Sequence, residues 1–488
     1  MTERTQVAVL GAGFGGLAMA RALTEVGIDD VVILERSDGV GGTWRANTYP
    51  GAACDVPSHL YSLSYAPNPD WSRTYASQPE ILAYIEDCYE RFDVARKVRT
   101  GTTVVSARWH QADRCWRIGD DQGQTYEASV FVSAIGMFHT PSMPTIPGMG
   151  DFAGASFHSA RWDHDHDLTG RRVAVVGTGA SSIQIVPAIA DAADRVLVFQ
   201  RTPPWIVPRF DEAFTDEQRR SFAEEPSVAQ RLRDEIHGLY ESNLSFLRGD
   251  PSGDLLAQIA SDHLGRKVAD PDLRARLRPD YPVGCKRTLV SSAFYPAVQR
   301  DDVDLVTAPI ERITSGGIRT TDGTDWPCDT IVWSTGFRAT EYLHGIEVTG
   351  RDGRHLHEEW NGVPRAWHGM AVPGFPNFFM LYGPNTNQGG NSIILMLEAQ
   401  ASFIAQALAT MAGDRADEVE VTESAMADYT AELLEGLAAT VWTDGCDSYF
   451  RTPGGDIVTQ IPHTATWYQE RLGQFRPADF HIRSAVAP

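Results

Sequence analysis

Short, almost wholly apolar runs recur along the chain: Gln6 to Leu10, Val31 to Leu34, Val130 to Gly136, Arg172 to Val176, Arg195 to Phe199 and Asp329 to Trp333. Four to eight such residues bounded by Gly or charge predict strands buried on both faces, as in a parallel sheet. The first and fourth runs each lead through glycines into an Ala- or Ile-rich segment of helical period. Residues around Val104, Trp109 and Trp116 alternate, with a turn near Gly123. A second alternating stretch turns at Gly316-Gly317 and Asp322-Gly323. These are β-meanders, each returning to one of the apolar runs. Strand, glycine turn, helix, meander and closing strand therefore occur twice.

Between about Phe210 and Arg278 the pattern becomes charged and helical, with Leu232, Ile236, Tyr240, Leu244 and Leu247 spaced to line one face. Ser77-Gln-Pro-Glu80 reads as a capping box opening a helix through Ile81, Leu82, Ile85 and Cys88. A further helix after the polar loop of FMLYGPNTNQGGNS is capped at Asn391 or Ser392. The prediction is an α/β fold of two dinucleotide-binding, Rossmann-like domains, each with a β-meander, plus a helical insertion at about 210–278. One domain is inserted in the other. Residues 1–147 form a first segment, 148–168 a linker, 169–335 the inserted domain, and 336–488 the return to the first.

The glycine turns say what is bound. In GAGFGG, Gly11 permits a tight turn, Gly13 lets a pyrophosphate approach the backbone, and Gly16, two residues after Phe14, allows close helix packing. In GTGASS the same places hold Gly177, Gly179 (flanking Thr178) and Ser182, a small residue in the third slot. Glu35 lies 24 residues after Gly11 (35 − 11), and Arg201 lies 24 after Gly177 (201 − 177). Equivalent positions thus carry opposite charge. A carboxylate suits a free ribose diol and repels a 2′-phosphate, whereas a guanidinium, here followed by Thr202, does the reverse. The first unit is expected to hold FAD and the second NADPH.

Composition narrows the partners. A net charge of -22 over 488 residues opposes binding to nucleic acid or an anionic membrane. Cys54, Cys88, Cys115, Cys285, Cys328 and Cys446 form no CxxC pair, so neither a dithiol redox centre nor a metal site is expected. No signal peptide is read, and Glu398 and Gln400 interrupt the apolar run near Ile393. The default location is cytoplasmic.

The stretch FAGASFHSARWD joins the two units, with Phe152, Gly154, His158, Trp162 and Asp163 in the spacing FxGxxxHxxxWD. That spacing resembles the fingerprint of the type I Baeyer–Villiger monooxygenases, and the flanking nucleotide motifs extend the resemblance from Gly11 to about Tyr468. The resemblance implies a FAD- and NADPH-dependent enzyme that uses O2 and a C4a-peroxyflavin to insert oxygen beside a ketone carbonyl, giving an ester or lactone. It makes Thr43, Trp44, Asp55 and Tyr61 flavin-site residues and brings the backbone near Val105 to the adenine. Lys286 becomes a grip on the 2′-phosphate. Arg287, oriented by Asp55, becomes the cation that keeps the oxygen adduct anionic, since a guanidinium does not give up its proton near neutral pH. Family members usually have a second aromatic near Arg45–Ala46, Pro where Thr288 stands and Trp where Tyr449 stands.

Two other readings are compatible with the nucleotide motifs. One is a flavin monooxygenase of amines or sulfides, which needs a protonated, electrophilic oxygen adduct. The other is a non-catalytic flavin-dependent sensor, which does not require an intact NADPH site.

Overall fold

In the computed structural model, which describes residues 2–484, the strand Thr2–Leu10 ends at Gly11 and the chain turns into the helix Phe14–Glu25. Val7, Ala8 and Val9 have no solvent exposure, as a central strand covered on both faces requires. Val31–Leu34 and Thr125–Ser133 flank it in parallel. Val104–His110 and Cys115–Asp120 continue the sheet antiparallel through the first meander. Val98–Arg99 forms one edge, parallel to Val31–Leu34, and two strands from far along the chain complete this eight-stranded sheet: Glu347–Thr349 at the other edge, and Phe378–Met380 beside Thr125–Ser133.

A second sheet holds five parallel strands in the order Val303–Val306, Arg195–Phe199, Arg172–Val176, Thr330–Trp333 and Ala155–His158. The stretch expected to be a plain linker therefore contributes an edge strand, Ala155–His158, paired with Thr330–Trp333. The two meanders also differ. In the first sheet Thr125–Ser133 runs unbroken for nine residues. Its counterpart splits into Asp325–Pro327 and Thr330–Trp333, leaving the second meander as a separate three-stranded sheet. The break falls where Asp329 is taken by other partners. Its backbone N–H donates to Arg172 O at 2.8 Å, its carboxylate accepts from Arg172 N at 2.8 Å, and its carbonyl accepts from Ala155 N at 3.2 Å.

The insertion forms helices Asp216–Glu224, Pro226–Glu241, Pro251–Lys267 and Pro271–Arg276, and it leans on the first unit. Phe214 and Phe222 pack edge-on against His59, and Glu241 accepts from Ala465 N, Thr466 N and Asn391 Nδ2. The predicted apolar face is shorter than expected. The helix stops at Glu241, so Leu244 and Leu247 lie beyond it, and the most deeply buried long side chain is Arg233, 8% exposed. Its guanidinium donates to His59 O at 2.8 Å and Ser62 O at 2.9 Å, which offsets the cost of burying charge.

Two further expectations change. Ser77 does sit at the N-cap of helix Gln78–Arg91, but its hydroxyl makes no capping bond. Glu80 instead accepts from Ser72 N and Ser72 Oγ at 2.6 and 2.9 Å. Cys285 and Cys446 form a disulfide with Cα atoms 5.7 Å apart at a sequence separation of 161. No local motif announces such a pair. The capped helix is as read: Ser392 Oγ accepts from Ile394 N at the head of Ile393–Gly413. That helix is long and apolar enough to cross a membrane, but most of it is buried in the core, against Phe14–Glu25.

Candidate active site

At the first turn Gly11 has φ +104°, and a Cβ there would lie 2.9 Å from Ala134 O. Only glycine is accommodated without strain in that region of φ. A Cβ on Gly16 would reach 2.2 Å from Gly11 O, so the helix packs directly on the turn. Gly13 faces Gly42, 3.5 Å from the position a Cβ would take, and the turn is roofed by Gly41-Gly42. Phe14 is buried and meets Tyr61 edge-on at 5.6 Å. Glu35, 7% exposed, already accepts from Ala12 N at 2.8 Å, Ser37 N at 2.8 Å and Ser37 Oγ at 2.7 Å. It therefore braces the glycine turn from beneath.

From Gly42 the chain enters the short helix Thr43–Ala46. Thr43 is exposed there, while the Trp44 indole donates to Tyr61 Oη at 3.1 Å. The place of the expected second aromatic is filled by Arg45, which donates to Val40 O and pairs with Asp38 and Glu86. Val105 stands at a bulge in the strand Val104–His110, 38% exposed.

The second turn repeats the first with less enclosure. Gly177 has φ +112° and would drive a Cβ to 2.4 Å from Ser334 O. Thr178 donates to Thr202 O at 3.2 Å. No atom lies within 4 Å of where a Cβ on Gly179 would sit. Ser182 is wholly buried at the start of helix Ser182–Ile189, and its hydroxyl has no hydrogen-bond partner among the described residues. Arg201 reaches into solvent, 86% exposed, with Asp447 at 3.7 Å. Lys286 lies 4.8 Å over the Tyr281 ring. Burial lowers its pKa from the ordinary value, and the charges of Asp447 and Arg201 act on it with opposite sign.

Where the two units meet, Arg287 grips Asp55. Nε donates to Oδ2 at 3.0 Å, and Nη2 donates to Oδ1 at 2.8 Å and Oδ2 at 2.7 Å. The side chains are only 27% and 23% exposed. The Asp55 charge holds the guanidinium even more firmly protonated than usual, against the opposing effect of burial. Tyr449 and Tyr382 lie within electrostatic reach of it. Beside the pair, Gln184 from the second unit accepts from Tyr49 Oη and donates to Ala53 O, each at 3.0 Å.

The fingerprint residues work as joinery. A Cβ on Gly154 would lie 2.3 Å from Asp329 O and 2.7 Å from the Phe152 ring. Trp162 packs edge-on against Phe157 at 5.2 Å. Asp163 accepts from Asp165 N at 3.1 Å in an exposed turn. His158, 3% exposed, accepts from Ala160 N through Nδ1 and donates from Nε2 to Gly336 O, each at 3.0 Å. Gly336 O also accepts from Ser142 N at 2.8 Å. Both crossings between the sheets are thus pinned at one carbonyl.

Residues 4–216 match the family model described as flavin-binding monooxygenase-like. A Baeyer–Villiger monooxygenase of Streptomyces coelicolor is 41% identical over 484 residues, spanning 98% of this chain and 93% of its own. The chain belongs to the Baeyer–Villiger monooxygenase family. The closed structure of cyclohexanone monooxygenase superposes with a TM-score of 0.89 at 29% identity, covering 99% of this chain and 100% of that one. OTEMO in complex with FAD and NADP gives 0.89 at 28%, covering 98% and 99%. The protein is a flavoprotein monooxygenase of the Baeyer–Villiger type with FAD and NADPH as cofactors.

In this Baeyer–Villiger fold the residues expected to share a site fall into three groups. Gly11, Gly13, Phe14, Gly16 and Glu35, with Trp44 and Tyr61, gather at the first turn. Gly177, Thr178, Gly179, Ser182, Arg201, Thr202 and Lys286 gather at the second. Asp55 and Arg287 join between them. The fingerprint residues stand apart, at the crossings. Sequence reasoning missed the Tyr49–Gln184 contact, the Asp447 carboxylate beside Arg201, and Cys285–Cys446. A glutamine or aspartate in a polar loop carries no local signal.

Proposed function

We propose that this enzyme inserts one atom of O2 beside a ketone carbonyl to give an ester or lactone, with Arg287 and Asp55 as the catalytic pair. The residues present fit both cofactors. Gly11, Gly13 and Gly16 leave a backbone cradle that side chains would fill, and Glu35 beneath it suits a ribose diol. Gly177 and Gly179 leave a second cradle, with Arg201 and Lys286 as cations for a 2′-phosphate. When bound, NADPH supplies hydride, and the flavin carries the electrons to O2.

The chain's own contribution is electrostatic. Arg287 holds negative charge on the oxygen that attacks the carbonyl, and then on the carbonyl oxygen as it becomes tetrahedral. It does so without donating its proton, because Asp55 keeps it charged. Asp55 fixes the plane of the guanidinium through two parallel bonds, so no reorientation is needed at the moment of reaction. Trp44 and Tyr61 wall the flavin side, and Gln184 ties the same segment, through Tyr49 and Ala53, to the second unit. On this reading residues 1–147 and 336–488 make the FAD domain and 169–335 the NADPH domain.

The observation that carries the proposal is the half-buried Arg287–Asp55 pair at the meeting of the two units. A fixed cation there suits an anionic nucleophile and not the protonated oxidant that amine or sulfide oxidation needs. Arg287→Ala should leave NADPH-driven bleaching of the flavin within a few-fold of wild type while ester formation falls by about 10²–10³-fold or more. Product analysis on a panel of ketones alongside stopped-flow absorbance separates the two steps. Undiminished ester formation in the variant would remove Arg287 from the mechanism.

A further inference from the structure

Cys285 adjoins Lys286 and Arg287 in sequence, and Cys446 adjoins Asp447, three residues before Phe450. The disulfide between them therefore ties the segment carrying the two proposed functional cations to the loop carrying Asp447 and Tyr449. A Cα separation of 5.7 Å is in the normal range for a bridge. Nearby, the Trp442 indole donates to Gly284 O at 2.9 Å and stacks on Phe246 at 5.2 Å. Those contacts hold the loop as far as residue 442 whatever the cysteines do. Arg248 extends that hold to Thr443 and Asp444, its Nη2 donating to Asp444 Oδ1 at 2.6 Å, and past them the tethers thin out to a long contact from Arg451 Nη1 to Cys446 O at 3.5 Å. Asp447 is 86% exposed with Arg201 at 3.7 Å, an ion pair weak enough to open readily in water. Tyr449, 37% exposed, rests on Phe138 and Phe450.

Resting on the NADPH reading above, we propose that Cys285–Cys446 is a thiol–disulfide site whose state sets how firmly Asp447 is held against the 2′-phosphate cations Arg201 and Lys286. Asp447 is an anion set among the very cations that would receive an anionic phosphate. With the bridge closed its carboxylate is kept beside Arg201 and competes with the cofactor. With the bridge open the loop can carry it away. An acceptor awaits the freed thiol, since Cys446 Sγ lies 3.3 Å from Val441 O.

The chemistry balances with a peroxide as oxidant and a dithiol as reductant. Cys446, 6% exposed, is the accessible partner, and Cys285 is wholly buried. The Cys446 thiolate attacks a peroxide oxygen, breaking the O–O bond and expelling hydroxide, and becomes a sulfenic acid. The Cys285 thiolate then attacks that sulfur, forms the S–S bond and expels the second hydroxide. Two electrons leave the sulfurs, and the two oxygens end as water. A dithiol reverses the step by exchange, itself ending as a disulfide.

The test uses FAD-loaded enzyme treated with hydrogen peroxide or with dithiothreitol, each then removed. Thiol titration after denaturation should find four free thiols in the first and six in the second. The NADPH dissociation constant, followed by fluorescence titration without substrate, should be about two-fold to five-fold larger in the oxidised form, as expected for competition from one exposed ion pair. Binding of NADH should not change. Asp447→Asn should bind NADPH as the reduced form does in either state, and Cys446→Ser should behave as permanently reduced. Six thiols after peroxide would overturn the site. Four and six thiols with equal NADPH affinities would overturn the coupling. If Arg201→Ala discriminates NADPH from NADH as well as wild type does, the phosphate reading itself fails, separately from both.

Discussion

The two nucleotide turns share a backbone and differ in enclosure. Gly11 and Gly177 have nearly the same φ, +104° and +112°, and each faces a carbonyl of its own sheet's closing strand segment, Ala134 O or Ser334 O. Around the first, everything is closed. Gly41-Gly42 roof the loop, Glu35 is 7% exposed and carries three hydrogen bonds from the chain, and a 12-residue helix follows. Around the second, Gly179 faces open space, Arg201 is 86% exposed, and the helix has eight residues with Pro187 inside it. On the function proposed above, the charge at Glu35 or Arg201 chooses the nucleotide. Its burial chooses how long the nucleotide stays. A buried, prepaid network loses little entropy on binding and releases slowly, whereas a solvated arginine must be desolvated and ordered each time. On that proposal, the enclosed turn keeps its cofactor and the open one exchanges it.

The sharpest way to break that contrast is to put the same methyl group into both turns. Gly11→Ala forces a Cβ to within 2.9 Å of a backbone oxygen at a φ that L-residues avoid, at a cost on the order of a few kcal/mol. The expected product is colourless or unfolded protein, read from the absorbance of bound flavin and from the melting temperature. Gly179→Ala meets nothing and should stay yellow and fully folded. Its change should be confined to the NADPH dissociation constant. Loss of FAD from the Gly179 variant would mean the turns are not independent.

Charge is tested next. Arg201→Ala removes a charge-assisted contact worth about 1.5–3 kcal/mol, so NADPH binding should weaken by about 10-fold to 100-fold. NADH binding and FAD retention should be unaffected. Equal losses for NADPH and NADH, measured by parallel titrations, would take the 2′-phosphate away from Arg201.

Much of this was legible because it is periodic. Apolar runs, glycines at fixed offsets and an acid or base 24 residues on follow from local backbone rules, and both sheets, both meanders and the insertion helices appear where those rules put them. What the sequence hid is non-local. Asp329 breaks a strand because Arg172 and Ala155 claim it, and Glu80 leaves its cap unmade while it accepts from Ser72. Arg233 is buried because carbonyls at 59 and 62 are waiting for it. Cys285 and Cys446 meet across 161 residues. The fingerprint was readable as a spacing and unreadable as a mechanism until His158 was seen to meet Gly336.

That contact offers the subtlest probe, because it lies at the crossing between the retaining unit and the exchanging one. His158 is neutral in the fold: Nδ1 must accept from Ala160 N while Nε2–H serves Gly336 O. Burial, aided by Arg161, lowers its pKa below the ordinary 6.5. In the unfolded chain the ring takes up a proton as pH drops through 6.5, while in the fold it does so only at lower pH. Its share of stability is therefore complete above pH 6.5 and declines from there down to the folded value, by at most about 1.4 kcal/mol per pH unit. His59 and His139, both lowered to about 4 by burial, add slopes of their own, so the informative quantity is a difference between proteins. His158→Gln keeps one acceptor and one donor but cannot titrate. Melting temperatures of the two proteins should run close together at pH 8 and converge or cross as pH falls from 6.5 to 5, with the variant losing less. FAD should remain bound throughout, since no part of the first turn touches His158. Parallel curves down to pH 5 would show that the crossing is not held by a neutral imidazole.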